Sequence, residues 1–179
     1  RFMPNTTCTC LNLLLMYDGG CRASCDYCGL SRNARADGTK TFIRVKWPAY
    51  PMTDILERIG RGKHPFRRVC VSMITHERAL ADACAVIRRV RKNTDIPISG
   101  LLSPTVMAGR RDLQKIRLAG ADHVGVAIDT ATEELFDLHR GSGVGGPHRW
   151  ESYWQCVTDS VGVFGRYKAG IHLMVGLGE

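Results

Sequence analysis

"LNLLLMYDGGCRASCDYCGL", residues 11–30, runs an apolar segment straight into three cysteines. Residues 11–17, "LNLLLMY", read as a buried strand. Gly19 and Gly20 provide a turn, and Cys21, Cys25 and Cys28 follow with the spacing CxxxCxxC. Structural zinc takes four protein ligands, often as two separated CxxC pairs. Only Cys25 and Cys28 form such a pair, so zinc would need Cys21 and a histidine, such as His64 or His76, to complete its set.

An iron–sulfur cluster is the other common consumer of clustered thiolates. A four-iron cube held by three cysteines keeps one iron without a protein ligand. That corner is free to bind and orient a small molecule, as an open zinc site is. The loop is short enough to wrap one cluster, its Ala23 and Ser24 are small, and Arg22 is placed to offset cluster charge.

Outward from this loop, strand and helix signals alternate. "PMTDILERIG", 51–60, places Met52, Ile55, Leu56 and Ile59 at helical spacing, with Gly60 as the stop. "RRVCVSMIT", 67–75, is a second strand. Residues 77–92 put Leu80, Ala83, Cys84, Ile87 and Val90 on one helical face with a basic outer side. "DIPISGLLSP", 95–104, is a third strand, "GRRDLQKIRLAG", 109–120, a third helix closed by Gly120, and "ADHVGVAIDT", 121–130, a fourth strand. A short helix follows over 132–139. "GSGVGG", 141–146, is expected to be a flexible point, either linker or substrate-proximal loop. Trp150, Tyr153, Trp154, Val157, Val161 and Phe164 fall on one face of a helix over 149–164, and "AGIHLMVGLGE", 169–179, starts as a fifth strand. Repeated strand–helix units predict parallel strands with helices outside, an α/β fold built as a partial (β/α) barrel; an open sheet covered on both faces is the alternative. In a barrel, the site lies where strands end and helices begin.

The chain of 179 residues is long enough for a single domain, 1–179, with a real core, and 44% of it is apolar. No apolar run approaches a bilayer span and no basic-then-apolar leader opens it, so a cytoplasmic protein without a membrane partner is expected. Arg1 at one end and a strand running into Glu179 at the other suggest missing residues, a closing helix among them. The net charge of +8 suits an acidic partner or simple solubility. Aromatic residues are sparse among the basic ones, which argues against a single-strand nucleic-acid groove. The eight cysteines are 8, 10, 21, 25, 28, 70, 84 and 156. Cys70, Cys84 and Cys156 sit in element-like runs and read as small core residues. His76, His123, His139 and His148 have no assigned partner and read mostly as surface or structurally satisfied side chains.

CxxxCxxC directly after the first strand, with Tyr27 before the third cysteine, resembles the radical S-adenosylmethionine (radical SAM) enzymes. "AIDT", 127–130, and "MVGLGE", 174–179, are similar to the fourth- and fifth-strand segments of the biotin and lipoyl synthase branch. The resemblance implies a radical SAM core in which Cys21, Cys25 and Cys28 hold a [4Fe-4S] cluster. S-adenosylmethionine would chelate the open iron, and one outside electron would cleave it to a 5′-deoxyadenosyl radical. That radical would abstract hydrogen from an unactivated C–H bond. The cofactor carries that chemistry, and the protein positions and shields it.

On the same resemblance, Tyr27 lies near the adenine and Asp129 accepts from the ribose hydroxyls; Asp129 also reads as the acid beside a helix start at Thr130 or Thr132. Val175, Gly176 and Leu177 line the adenine through backbone groups, and Arg149 meets the cofactor carboxylate. The second strand ends "SMIT" and lacks the glycine-glycine-acid pattern common in the superfamily, so Ser72 and Thr75 are the candidate acceptors for the cofactor ammonium, with Ser103 a further pocket residue. Cys8 and Cys10 could anchor a second iron–sulfur cluster, with Cys70 a further candidate ligand, or could equally be inert thiols at the closed end of the barrel.

The leading functional expectation is sulfur insertion of the lipoyl or biotin synthase type, with one subunit of a two-protein archaeal-type lipoyl synthase as a specific form. Its substrate would be aliphatic, free or on a carrier protein. Ferredoxin or flavodoxin would donate the electron, and a partner radical SAM subunit is implied. A radical mutase or metallocluster maturase, favoured by one cluster and a small polar pocket, is the alternative. A non-enzymatic zinc or nucleic-acid module is the third.

Overall fold

Five parallel strands in the order β1-β2-β3-β4-β5 form one sheet in the computed structural model, which describes residues 8–33, 48–62 and 65–178. His64 and Glu179, named above as a possible zinc ligand and as the last residue of "MVGLGE", lie outside the described residues. The strands are β1 (Cys10–Leu14), β2 (Arg68–Ser72), β3 (Ile98–Leu102), β4 (His123–Asp129) and β5 (Ala169–Leu173). The helices are α1 (Met52–Gly60), α2 (Ala79–Asn93), α3 (Arg110–Ala119), α4 (Glu133–His139) and α5 (Trp150–Phe164), with single 3-10 turns at Pro104–Val106 and Ser142–Val144. Every expected element is present. The strands are shorter at their C-terminal ends than the apolar runs suggest. Residues 15–19, 73–78, 103–109 and 174–178 are strand-end loops, and these loops carry the site.

The core lies between one sheet face and the helices. Val69 and Val71 of β2, Ile98 and Leu102 of β3, and Val124, Val126 and Ile128 of β4 pack against Ala83, Ile87 and Val90 of α2, Leu113 and Ile116 of α3, and Tyr153 and Val163 of α5. Strand side chains alternate between faces, so Cys70, Ser72, Ser99 and Gly125 turn to the other face. Cys84 and Cys156 are buried in the core as expected. Cys70 corrects the expectation: it is only half-buried, lies on the polar inner face and lines a cavity there.

Helix ends follow local chemistry. Gly120 takes φ 116° past α3, and its N–H reaches the carbonyls of Ile116 and Arg117. Thr132 caps α4 by accepting the Leu135 N–H at 3.3 Å, so the helix start falls at the second of the two threonines considered. Gly60 does not stop α1 but is its last residue; the left-handed turn falls on Gly62 at φ 65°. The buried face of α5 is rotated from the aromatic stripe read in the sequence. Tyr153, Cys156, Asp159, Ser160 and Val163 face inward, while Trp154 and Val161 are exposed. The inward Asp159 explains the difference, because it accepts from Arg110 Nε of α3 at 2.8 Å and ties the two helices together.

"GSGVGG" is a packed bend and not a linker. A Cβ on Gly146 would stand 2.4 Å from the Arg140 carbonyl oxygen, and one on Gly143 would stand 2.7 Å from that of Asp137. Glycine is needed there for close approach. No described helix is long and apolar enough to cross a membrane.

Candidate cluster and cofactor site

The cysteine loop is tied down at several points to the C-terminal end of the sheet. The Arg22 N–H donates to the Thr75 carbonyl at 2.8 Å beyond β2, and the Arg22 guanidinium pairs with Glu77. The Asp26 N–H donates to the His139 carbonyl at 3.0 Å, and its carboxylate meets His139 Nδ1 at 3.0 Å, joining the loop to the end of α4. Arg32 donates to Ser24 Oγ at 2.7 Å and to the Gly145 carbonyl at 2.6 Å. The loop is therefore a fixed part of the site.

Cys21, Cys25 and Cys28 gather in one small cluster with Ala23, Tyr27, Met174 and Leu177. The Ala23 N–H points at Cys21 Sγ at 3.5 Å, and the Leu30 N–H points at Cys28 Sγ at 3.4 Å. Backbone N–H groups aimed at sulfur stabilise thiolates bound to iron and raise a cluster's reduction potential. Cys25 is buried, and that burial pushes its thiol up to about 11 against the pull of Arg140. Burial likewise raises the Cys28 thiol. Without metal the Cys25 and Cys28 thiols are protonated, and metal binding must release those protons. No three His, Cys, Asp or Glu side chains converge as a single ion would require among the described residues, and His76 is stacked on Tyr17 at 3.8 Å between ring centroids. Three thiols on one short, tied-down loop, packed with Ala23, Tyr27 and Leu177 and with N–H donors to two of the sulfurs, fit a cluster at Cys21, Cys25 and Cys28.

Asp129 ends β4 in the left-handed region at φ 68°, beside a register shift against β5. Such backbone in a non-glycine residue points to function. Its carboxylate accepts from the Tyr27 hydroxyl at 2.8 Å and from Arg140 Nη1 at 2.5 Å. Arg140 Nη1 also donates to the carbonyls of Ala127 and Ile128 beside the register shift. Arg140 Nη2 donates to the Tyr153 hydroxyl at 3.1 Å, and that hydroxyl meets His148 Nδ1 at 3.0 Å; Thr105 Oγ1 meets the same nitrogen at 2.6 Å. Burial opposes the charge on Arg140, but the facing Tyr153, Tyr27 and Asp129 outweigh it and hold its pKa above the ordinary value. Burial, then the charges of Arg140 and Arg149, push His148 down to about 3, so its imidazole is neutral.

Tyr27 and Leu177 thus pack with the three cysteines, and Asp129 is tied to them through the Tyr27 hydroxyl. Thr75 and Ser103 meet each other at 3.0 Å between hydroxyls, and Ser72 is buried on the inner face. Gly176 adopts φ 98°, and Val175 is exposed. Arg149 is not drawn into this group: it is exposed and donates to the carbonyls of Gly146 and His148 in its own loop. Arg140 has no place in the sequence reading, Tyr153 appears there only as part of a helix face, and His148 only as an unassigned histidine. The one signal for Arg140 was an arginine at a helix end followed by glycine.

Fold and site together define a parallel α/β protein with a three-thiol loop at the C-terminal ends of its strands. The Radical SAM superfamily profile matches residues 18–179, and the chain belongs to that superfamily. Its members use a [4Fe-4S] cluster and S-adenosylmethionine, and need an electron donor and a substrate. Among solved structures, HydG, a maturase of the [FeFe]-hydrogenase, superposes with a TM-score of 0.68 at 12% identity over 94% of this chain and 36% of HydG. HydG from Carboxydothermus hydrogenoformans gives 0.67 at 15% over 95% of this chain and 37% of the other. Methylornithine synthase (PylB) gives 0.62 at 17% over 95% of this chain and 46% of the other. The chain therefore spans less than half the length of these structures. No curated protein matches it.

Proposed function

We propose that this radical SAM protein acts on a small polar substrate held against the inner face of its sheet. The observation that carries this is the lining of that face. Cys70, Ser99, Gly125, His123 and His172 border a cavity of about 370 Å³ on that face, toward the N-terminal halves of β2–β5, which Leu101 and Ile171 also line. A Cβ on Gly125 would stand 2.9 Å from His172 Nε2, so glycine at this position makes room for the imidazole. His172 pairs in register with Ala127, one step below the Asp129–Leu173 pair. An aliphatic chain would leave these polar groups desolvated and unpaired, at a cost of roughly 1–3 kcal/mol each.

A cluster at Cys21, Cys25 and Cys28 with S-adenosylmethionine bound would supply a 5′-deoxyadenosyl radical for hydrogen abstraction. The chain's own residues do the positioning. Tyr27 and Asp129 offer the adenosine a ring and a carboxylate, Val175, Gly176 and Leu177 offer backbone, and the hydroxyls of Ser72, Thr75 and Ser103 lie at the adjoining strand ends. Arg149 would reach a carboxylate only by leaving the two carbonyls it holds. The names of the solved relatives, a hydrogenase maturase and a methylornithine synthase, support a mutase-like or maturase-like outcome.

Sulfur insertion is the second reading. Cys10 pairs with Arg68, and Asn12 pairs with Cys70, which puts Cys10 and Cys70 near each other on β1 and β2. Cys70 and Cys8 both help to raise the Cys10 thiol, after burial. That is the arrangement a second, sulfur-donating cluster would draw on.

Deuterium transfer separates the two. Reduced, reconstituted protein is given S-adenosylmethionine with either a perdeuterated small-metabolite extract or a deuterated octanoylated carrier peptide. Deuterium in 5′-deoxyadenosine from the extract alone is expected. Deuterium from the peptide, with sulfur gained by the acyl chain, would overturn the proposal in favour of the second reading.

A further inference from the structure

We infer that Arg140 is a positioning residue that places a buried, fixed positive charge behind the cysteine loop and, with Asp129, sets the reduction potential of the cluster held there. Arg140 is 5% exposed. Its two terminal nitrogens reach four acceptors on two elements: the carbonyls of Ala127 and Ile128 and the Asp129 carboxylate on β4, and the Tyr153 hydroxyl on α5. Its guanidinium carbon also lies 5.1 Å from the Phe136 ring centroid and 4.8 Å from that of Tyr153. A cation held this way is screened far less by salt than a surface charge.

Two features point beyond a simple clasp. Arg140 Nε is buried with no hydrogen-bond partner among the described residues. A clasp made only for stability has no reason to keep a buried cation and an unpaired donor where an apolar side chain would pack at lower cost. The pair also aims at the cysteines. Asp129 holds Tyr27, Tyr27 stands between Cys25 and Cys28 in sequence, and Tyr27 and both cysteines share one packed cluster. Positive charge near an iron–sulfur cluster favours its reduced form, and negative charge the oxidised form. Arg140 and Asp129 therefore pull in opposite directions.

The inference rests on a cluster at Cys21, Cys25 and Cys28 and is independent of the substrate. The test is an EPR-monitored redox titration of reconstituted protein without S-adenosylmethionine, with iron content and thermal unfolding measured alongside. At a fixed poise, R140M is expected to lower the reduced-to-oxidised ratio about tenfold, and D129N to raise it about tenfold; each corresponds to about 59 mV for one electron. R140K keeps the cation and is expected to stay within about threefold of the unaltered protein. Should R140M fail to fold, D129N and R140K carry the test. Opposite shifts in R140M and D129N, or a D129N rise with R140K unmoved, support the inference. Unchanged potentials, or shifts of one sign in all variants, overturn it and leave Arg140 as a clasp. If the unaltered protein takes up no cluster, the site reading itself fails and the inference falls with it.

Discussion

The Tyr27 hydroxyl donates to the Asp129 carboxylate at 2.8 Å, across 102 residues of sequence. This one bond joins the cysteine loop to the end of β4, so the placement of the thiols depends on the fourth strand. Tyr27→Phe removes the donor and leaves Asp129 with Arg140. A loss of about 1 kcal/mol is expected in denaturant unfolding. Faster alkylation of Cys25 by iodoacetamide should accompany it in cluster-free protein, because Cys25 is buried when the loop is seated. An unchanged alkylation rate would show that the bond does not hold the loop.

The neutral His148 predicts an acid-labile site. Its pKa is depressed from 6.5 to about 3 in the folded chain. Between those values the unfolded chain binds the extra proton, so this contribution is present above pH 6.5 and is lost as pH falls toward 3. Unfolding free energy measured from pH 7 to 4 should fall by a few kcal/mol on this account, and H148N should flatten the profile. A parallel profile in H148N would assign the acid lability to other groups.

Two neighbouring glycines in the bend separate steric need from backbone need. A Cβ on Gly146 meets the Arg140 carbonyl at 2.4 Å, while one on Gly145 meets nothing within 4 Å and only suffers the left-handed φ of 62°. Gly146→Ala should cost about 3 kcal/mol or more, at the upper end of overpacking. Gly145→Ala should cost about 1–2 kcal/mol. Equal losses by thermal unfolding would contradict the packed bend.

Cys70→Ala tests whether a second cluster exists. With a single cluster on the three-cysteine loop, iron and sulfide per chain stay unchanged after anaerobic reconstitution. A drop of about two irons would place a further cluster on Cys70 and revive the sulfur-inserting reading.

The order of strands and helices was legible because each element carries its own period. Ile87 and Val90 recur at helical spacing, and the three-cysteine loop follows its strand at once. Cys70 was misread because "RRVCVSMIT" looks continuously apolar, while in the sheet Val69 and Val71 face the helices and Cys70 and Ser72 face inward. The aromatic stripe on α5 misled for a related reason: the helix spends its inner face on Asp159 and Ser160. The network of Arg140, Tyr153, His148 and Thr105 was not legible at all. Its members come from four separate segments, and a charged residue at a helix end ordinarily reads as solvated. Only the fold brings them together.

The central claim is a four-iron cube on Cys21, Cys25 and Cys28 with one iron free for S-adenosylmethionine. Anaerobic reconstitution followed by reduction in the presence of S-adenosylmethionine tests it directly. The account predicts about four irons and four sulfides per chain, an EPR signal of the reduced cluster that changes when S-adenosylmethionine is added, and release of 5′-deoxyadenosine. Loss of Cys21, Cys25 or Cys28 should abolish all three. A colourless protein with one zinc per chain, or a cluster whose spectrum ignores S-adenosylmethionine and yields no 5′-deoxyadenosine, would contradict it.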